Sequence, residues 1–180
     1  MKLLTDVSEI DWEKVEQFVL DHPHGNFFQS TKAFRFFRAA EGFEPLYIVA
    51  RSGNDVVGCL PAVVTREGGG LKGYFSRRCI VWGGPLVQDD EPDVWAVLLK
   101  KLGQMVSGGS IYTEFRNFRD LNGKKELYEQ EGYQLNAHLN YIVPVDSLEQ
   151  AKAGLSKSKK RQINKSLKQG RHAGIIRQAF

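Results

Sequence analysis

Between Ala151 and Phe180 the chain has no Asp and no Glu, although nine of these thirty residues are Lys or Arg. All 21 acidic residues lie in the first 150 positions, beside 16 basic ones. The formal net charge of +4 therefore hides an acidic body joined to a strongly basic tail. Cysteine is also scarce. Cys59 and Cys79 both sit in apolar, strand-like runs, which points to two buried thiols rather than a disulfide. No apolar run approaches the ~20 residues of a membrane helix. The opening, Met1 to Ile10, turns acidic before a signal-peptide core can form, so a cytoplasmic protein is expected.

Several catalytic signatures are missing as well. Gly68 to Gly73 lacks the spacing and the Lys-Ser/Thr ending of a phosphate-binding P-loop and reads as a hairpin turn. Ser107 to Ser110 lacks the Gly-x-Ser-x-Gly of a nucleophile elbow. His22 and His24 flank Pro23 without carboxylate or thiol partners at ligand spacing, so helix termination explains them better than a metal. Covalent catalysis, a metal and a bound cofactor are accordingly not expected.

Aromatic residues are plentiful: 11 Phe, 6 Tyr and 3 Trp in 180 residues, within a 42% hydrophobic composition. That is the make-up of a folded chain with one real core. Apolar spacing predicts a helix over Asp11 to Asp21, stopped by Pro23, and a second from Thr31 to Glu41, capped by Ser30 and closed by Gly42. Glu44 to Arg51 and Asp55 to Thr65 flank Ser52-Gly53-Asn54 as an antiparallel hairpin. Pro61, inside the second run, implies a bulge or an edge. Strands are expected near Leu71 to Phe75, Cys79 to Trp82, Ile111 to Phe115 and Tyr133 to Val145. Helices are expected over Glu91 to Val106 and Leu121 to Gly132. The order gives an α/β fold with a mixed, mostly antiparallel sheet, too irregular in its alternation for a Rossmann fold.

The tail reads as one basic helix from Ser156 to Gln169, with Gly170 as its stop and Leu155, Ile163 and Leu167 near one face. Lys157, Lys159, Lys160 and Arg161 crowd its first turns. The helix macrodipole already makes that end positive, so each cation there costs roughly 0.3–1 kcal/mol. Either an anion is held by these cations together with the helix N-terminus, or the helix is simply a solvated basic one. Two further features stand out. Arg38 closes the helix that follows Asn26-Phe27-Phe28-Gln29-Ser30. Arg77 and Arg78 precede Trp82-Gly83-Gly84-Pro85, where paired guanidinium groups could fork onto phosphate or carboxylate; ordinary surface arginines are the plainer alternative.

Taken in order, these segments resemble the Fem-type family of peptidoglycan bridge-forming aminoacyltransferases. Such chains open with an Asn-Phe-Phe-Gln-Ser-like run, here Asn26 to Ser30, leading to an aromatic residue and a basic one a turn later, here Phe34 and Arg38. A hairpin follows, then arginines before a Gly-Pro turn, here Arg77 and Arg78 before Gly84-Pro85. The first half closes on a basic helix matched by Ser158, Lys159, Arg161, Ile163, Lys165, Lys168 and Gly170.

The resemblance implies an acetyltransferase-like lobe over residues 1–150, with 151–180 forming the basic helix and the start of a second lobe that this chain does not contain. The implied reaction transfers an aminoacyl group from aminoacyl-tRNA to an amine of a peptidoglycan precursor, with the isolated lobe inactive. The partners it implies are a phosphate-rich cell-wall precursor and aminoacyl-tRNA, with no cofactor. Arg38 and Arg161 match the family's precursor-contacting basic residues, and Arg77, Arg78, Lys159 and Lys160 complete the expected anion site. Ordinary acetyltransferases of this fold cradle the acyl-CoA pyrophosphate on a glycine-bearing turn before a helix. Here that turn reads Gly83-Gly84-Pro85-Leu86-Val87-Gln88-Asp89-Asp90, whose two aspartates would repel a pyrophosphate. A CoA-dependent N-acyltransferase and a non-enzymatic polyanion- or nucleic-acid-binding module remain the alternatives.

Overall fold

The computed structural model describes residues 1–121, 123–136 and 147–168. It divides into two compact units, residues 1–137 and 138–180. The first unit is built on a six-stranded sheet. Its strands are β1 (Lys2–Leu4), β2 (Phe43–Ser52), β3 (Asp55–Thr65), β4 (Arg78–Trp82), β5 (Leu86–Val87) and β6 (Thr113–Arg116). They run in the order β1-β2-β3-β4-β6, with β5 also on β3. The β1–β2, β2–β3, β3–β4 and β3–β5 pairs are antiparallel, and β4 and β6 are parallel. The sheet is mixed and mostly antiparallel, as the order of segments predicts.

Helices cover both faces, and the period-two alternation of the strands sorts side chains between them. On one face Tyr47, Val49, Cys59 and Leu86 pack against Val15 and Val19 of α1 (Trp12–Asp21) and Phe34 of α2 (Thr31–Ala39). On the other, Ile48, Ala50, Leu60, Ala62, Val64, Cys79 and Val81 meet α4 (Pro92–Val106). That helix has Pro at its first position and buries Trp95, Leu98, Leu99, Leu102 and Val106 at helical spacing. Burying each such aliphatic side chain fully is worth about 1.5–3 kcal/mol. A short α5 (Lys125–Gln130) adds Tyr128 to this layer.

Pro61 lies in an inner strand, not at an edge. On one side it is in register with Tyr47. On the other, β4 pairs with Val63 to Thr65 and β5 with Gly58 and Cys59, so Pro61 falls where the neighbouring strand is interrupted. A residue without an N–H costs no ladder bond there. The expected strand near Leu71 to Phe75 is instead a helical turn, α3 (Gly70–Tyr74), and Gly68 to Gly73 is not a hairpin. The reason is topological: β3 and β6 occupy both sides of β4, so this segment cannot pair with the strand it leads into. Tyr133 to Asn136, expected to begin a long strand, are irregular, and the rest of that run lies outside the described residues.

The second unit contains α6 (Leu148–Ala153) and α7 (Lys157–Lys168). Ser147 caps α6, accepting from the Gln150 N–H at 3.1 Å. Ser156 plays the same part for α7, its Oγ accepting from the Lys159 N–H at 3.3 Å. The expected basic helix is therefore present, while its stop at Gly170 and the strand-like Ile175 to Phe180 lie outside the described residues.

Candidate functional site

The carboxyl ends of the parallel pair β4 and β6 form the natural place for a site in a sheet of this kind. Trp82-Gly83-Gly84-Pro85 turns away there, and two clasps hold it. Asn26 and Gln29 form the first. Asn26 Oδ1 accepts from the Phe28 N–H at 3.0 Å, while Gln29 Oε1 accepts from the Asn26 N–H at 3.1 Å and its Nδ2 at 2.8 Å. This reciprocal arrangement is a capping box. Gln29 is fully buried, and its Nε2 donates to the Gly84 carbonyl at 2.8 Å. The Tyr47 hydroxyl donates to the Gln29 carbonyl at 2.6 Å.

Asn117 and Tyr128 form the second clasp, the Tyr128 hydroxyl donating to Asn117 Oδ1 at 3.3 Å. Both glycines have left-handed backbone, φ 82° at Gly83 and 70° at Gly84. A Cβ on Gly83 would meet the Asn26 and Gln29 amides, and one on Gly84 the Asn117 side chain. Glycine is thus required twice over, by φ and by space.

The turn leads to the entry of α4, where Asp89 and Asp90 also have positive φ, 52° and 54°. Asp90 is held in place by charge. Its Oδ1 accepts from Arg119 and from Trp95 Nε1, both at 3.3 Å, and its carbonyl accepts from Lys124 Nζ at 3.0 Å. The two cations also lie over the buried Trp95 ring, at 5.3 and 5.6 Å from its centroid. Burial alone would raise the Asp90 pKa, but Arg119, Lys124 and the hydrogen bonds outweigh it and hold the carboxyl below its usual value. Helix α4 has no side-chain cap, and Glu91 and Pro92 stand at its start.

Beside this entry lies an open cleft of about 420 Å³, lined by Phe18, Asp21, His22, Pro23, His24, Val87, Gln88, Asp89 and Asp90. His22 ends α1. Its Nδ1 accepts from the His24 N–H and its Nε2 lies near the Val87 carbonyl, each at 3.1 Å, which assigns the ring proton to Nε2. Burial is the main cause that lowers the pKa of His24, aided by Arg119 and His22 and opposed by Asp90. Its walls carry three carboxylates, Asp21, Asp89 and Asp90, and two imidazoles, His22 and His24.

The residues singled out from sequence lie elsewhere. Arg77 and Arg78 stand at the opposite, amino end of β4, where Arg77 pairs with Glu44 at 2.8 Å and Arg78 with Glu67 at 3.3 Å. Arg38 is exposed in the last turn of α2, next to Phe37, whose ring packs on Phe43 at 5.4 Å. Phe43 is in register with Thr65, and Thr65 with Arg78, which places all three arginines towards one end of the sheet. Lys159, Lys160 and Arg161 are exposed on α7 in the second unit. Among the described residues no group of three or more His, Cys, Asp and Glu is arranged to hold a metal, and no helix is long and apolar enough to cross a membrane. Sequence reasoning missed Gln29, Asp90, Arg119, Lys124 and Asn117 as a set. The available signal was the consecutive Gly83-Gly84, which demands close neighbours on both sides.

This architecture, a mixed sheet with one interrupted strand, a parallel neighbour and helices on both faces, defines an acetyltransferase-type α/β lobe. Solved structures agree at the level of fold. An aminoglycoside 6'-N-acetyltransferase from Acinetobacter haemolyticus matches 82% of this chain and 100% of its own with TM-score 0.56 and 13% identity. FemX matches 73% of this chain with TM-score 0.58 and 15% identity, and the match spans only 32% of FemX. A ribosomal-protein-alanine N-acetyltransferase from Brucella melitensis biovar Abortus 2308 matches 80% of this chain and 98% of its own with TM-score 0.52 and 14% identity. No family model and no curated protein matches the sequence.

Proposed function

We propose that this chain is the precursor-binding lobe of an aminoacyltransferase that acts on a peptidoglycan precursor. The observation that carries this reading is the entry to α4. In an acyl-CoA enzyme of this fold that turn would offer glycine N–H groups to a pyrophosphate. Here it offers Asp89, Asp90, Glu91 and Pro92, and the one carboxylate held by cations, Asp90, already uses Arg119 and Lys124. The phosphate-contacting role is assigned instead to Arg38, to Arg77 and Arg78 on exchanging their partners Glu44 and Glu67 for phosphate, and to Lys159, Lys160 and Arg161 on α7. The likeness to FemX and the Asn26 to Ser30 run support the same assignment.

In the reaction, the deprotonated amine of the precursor attacks the ester carbonyl of aminoacyl-tRNA. The new amide bond forms as the ester C–O bond breaks, and the ribose oxygen leaves as a hydroxyl with the proton that the amine gives up. Positioning and charge stabilisation supply the acceleration, with no covalent enzyme intermediate. An aminoacyl-tRNA donor needs no pyrophosphate cradle. A CoA-dependent N-acyltransferase is the second reading, favoured by the full-length likeness to N-acetyltransferases. Titration with a soluble nucleotide-linked precursor and with CoA separates the two: selective, saturable precursor binding supports the first, and CoA binding the second.

A further inference from the structure

The end of the sheet at which β4 and β6 begin carries an apolar surface that the core does not use. Leu71, Tyr74 and Phe75 are 79%, 61% and 68% exposed, and Ile111 and Tyr112 are 61% and 48% exposed. Scattered exposed apolar residues are ordinary, but five gathered at one end of a small lobe mark an interaction site. Backbone bonds place the two groups together: the Ile111 N–H donates to the Arg77 carbonyl at 2.8 Å, and the Cys79 N–H to the Tyr112 carbonyl at 3.0 Å. The turn that displays Leu71, Tyr74 and Phe75 is fixed in place. The Phe75 N–H donates to the Leu71 carbonyl at 3.0 Å, and Ser76 Oγ accepts from the Glu67 N–H at 2.8 Å and donates to the Gly73 carbonyl at 3.2 Å.

A basic collar surrounds this tip. Arg66 and Lys72 are exposed on either side of the Gly68 to Gly70 approach, and Arg77 and Arg78 stand behind it. They outnumber the carboxylates among them, Glu44 and Glu67, which Arg77 and Arg78 already engage. Aromatic and aliphatic side chains at a tip, ringed by cations, match the two layers of an anionic bilayer surface. Tyr and Phe rings sit at headgroup level, and Lys and Arg meet the lipid phosphates. Tyr, Phe and Arg are also enriched at protein interfaces, so a protein partner is the competing occupant, against which vesicle binding is the test.

We propose that this end of the lobe docks on an anionic lipid bilayer, inserting Leu71, Tyr74 and Phe75 at headgroup level with Arg66 and Lys72 against the phosphates. A few inserted side chains give only marginal binding, as a single acyl chain does, so the apolar tip and the charge must act together. The attachment is peripheral and reversible. It does not rest on which acyl donor the protein uses.

The test is sedimentation of the whole chain with vesicles of phosphatidylcholine, with and without phosphatidylglycerol. Binding is expected on the mixed vesicles and to be weak on phosphatidylcholine alone. Replacing Leu71→Ser together with Phe75→Ser lowers the partition coefficient about tenfold or more, and Arg66→Glu with Lys72→Glu does the same through charge. All four positions are exposed, and circular dichroism checks that the variants fold. Phe75→Trp gives an independent readout: its emission shifts to the blue on mixed vesicles and is quenched by brominated lipid. Binding that survives Leu71→Ser with Phe75→Ser, or that is lost only on neutralising Lys159, Lys160 and Arg161, overturns the proposal. So does a self-association without vesicles that the same apolar variants abolish, which would assign the surface to a second copy. Leu71→Ser with Phe75→Ser retains affinity for a soluble precursor, so failure here is distinguishable from failure of the acyl-transfer reading.

Discussion

Gln29 Nε2 donates to the Gly84 carbonyl at 2.8 Å across a fully buried contact, joining the turn before α2 to the turn after β4. One side chain thereby serves both turns, since its Oε1 also completes the Asn26 cap. Gln29→Ala leaves the buried Gly84 carbonyl and the half-buried Asn26 N–H without these partners. A loss of about 1–3 kcal/mol is expected, measured as a lower urea midpoint with an unchanged slope. Gly84→Ala, which adds left-handed strain and a clash with Asn117, is expected to cost about 1–3 kcal/mol. A variant of either kind as stable as the parent would show that the turn is not held as described.

Much of this fold was legible in the sequence because its signals were local. Ser30, Asp11 and Pro92 mark helix starts by their own chemistry, and the Ser52 to Asn54 turn joins two runs that alternate correctly. Leu71 to Phe75 defeated the same reasoning. Its apolar residues suggested a strand, but whether a strand forms depends on an open sheet edge, and β4 has none. The clasp was legible only in part. Asn26, Gln29 and Gly83-Gly84 are visible as motifs, yet nothing local says that residues about 55 positions apart meet. Arg119 and Lys124 become recognisable only once Asp90 is seen between them.

The two cysteines supply a second test. Burial pushes the Cys59 thiol up to about 12 and the Cys79 thiol up to about 11. Both stay protonated at pH 8, so neither is expected to react with a disulfide reagent until the chain is unfolded in denaturant. Rapid labelling of one thiol per native chain would contradict the packing of β3 or β4.

Asp90 gives a pH dependence with a definite sign. Its carboxyl is held below the ordinary value of 3.8, so the stability it contributes is present above that value and is lost as pH falls through the lower, folded one. Asp90→Asn removes this contribution. The difference in Tm between parent and variant is therefore expected to be steady from pH 7 to about 5 and to shrink on further acidification below about 4. A gap that widens in acid would reverse the assignment of Arg119 and Lys124 as its partners.

Separate substitutions test which cations recognise phosphate. Arg38→Ala or Arg161→Ala is expected to weaken binding of a phosphate-bearing ligand by about 1.5–3 kcal/mol, the scale of a hydrogen bond to a charged group. Lys168→Ala is expected to do little. Equal losses at all three positions, erased by added salt, would mark a diffuse polyanion attractor.

The most direct measurement is a calorimetric titration of the whole chain with three ligands under one set of conditions: a soluble nucleotide-linked peptidoglycan precursor, CoA, and inorganic polyphosphate. The account predicts saturable binding of the precursor that persists at moderate salt, no saturable binding of CoA at the acidic α4 entry, and polyphosphate binding that fades steeply with salt. Saturable CoA binding tighter than that of the precursor would contradict it.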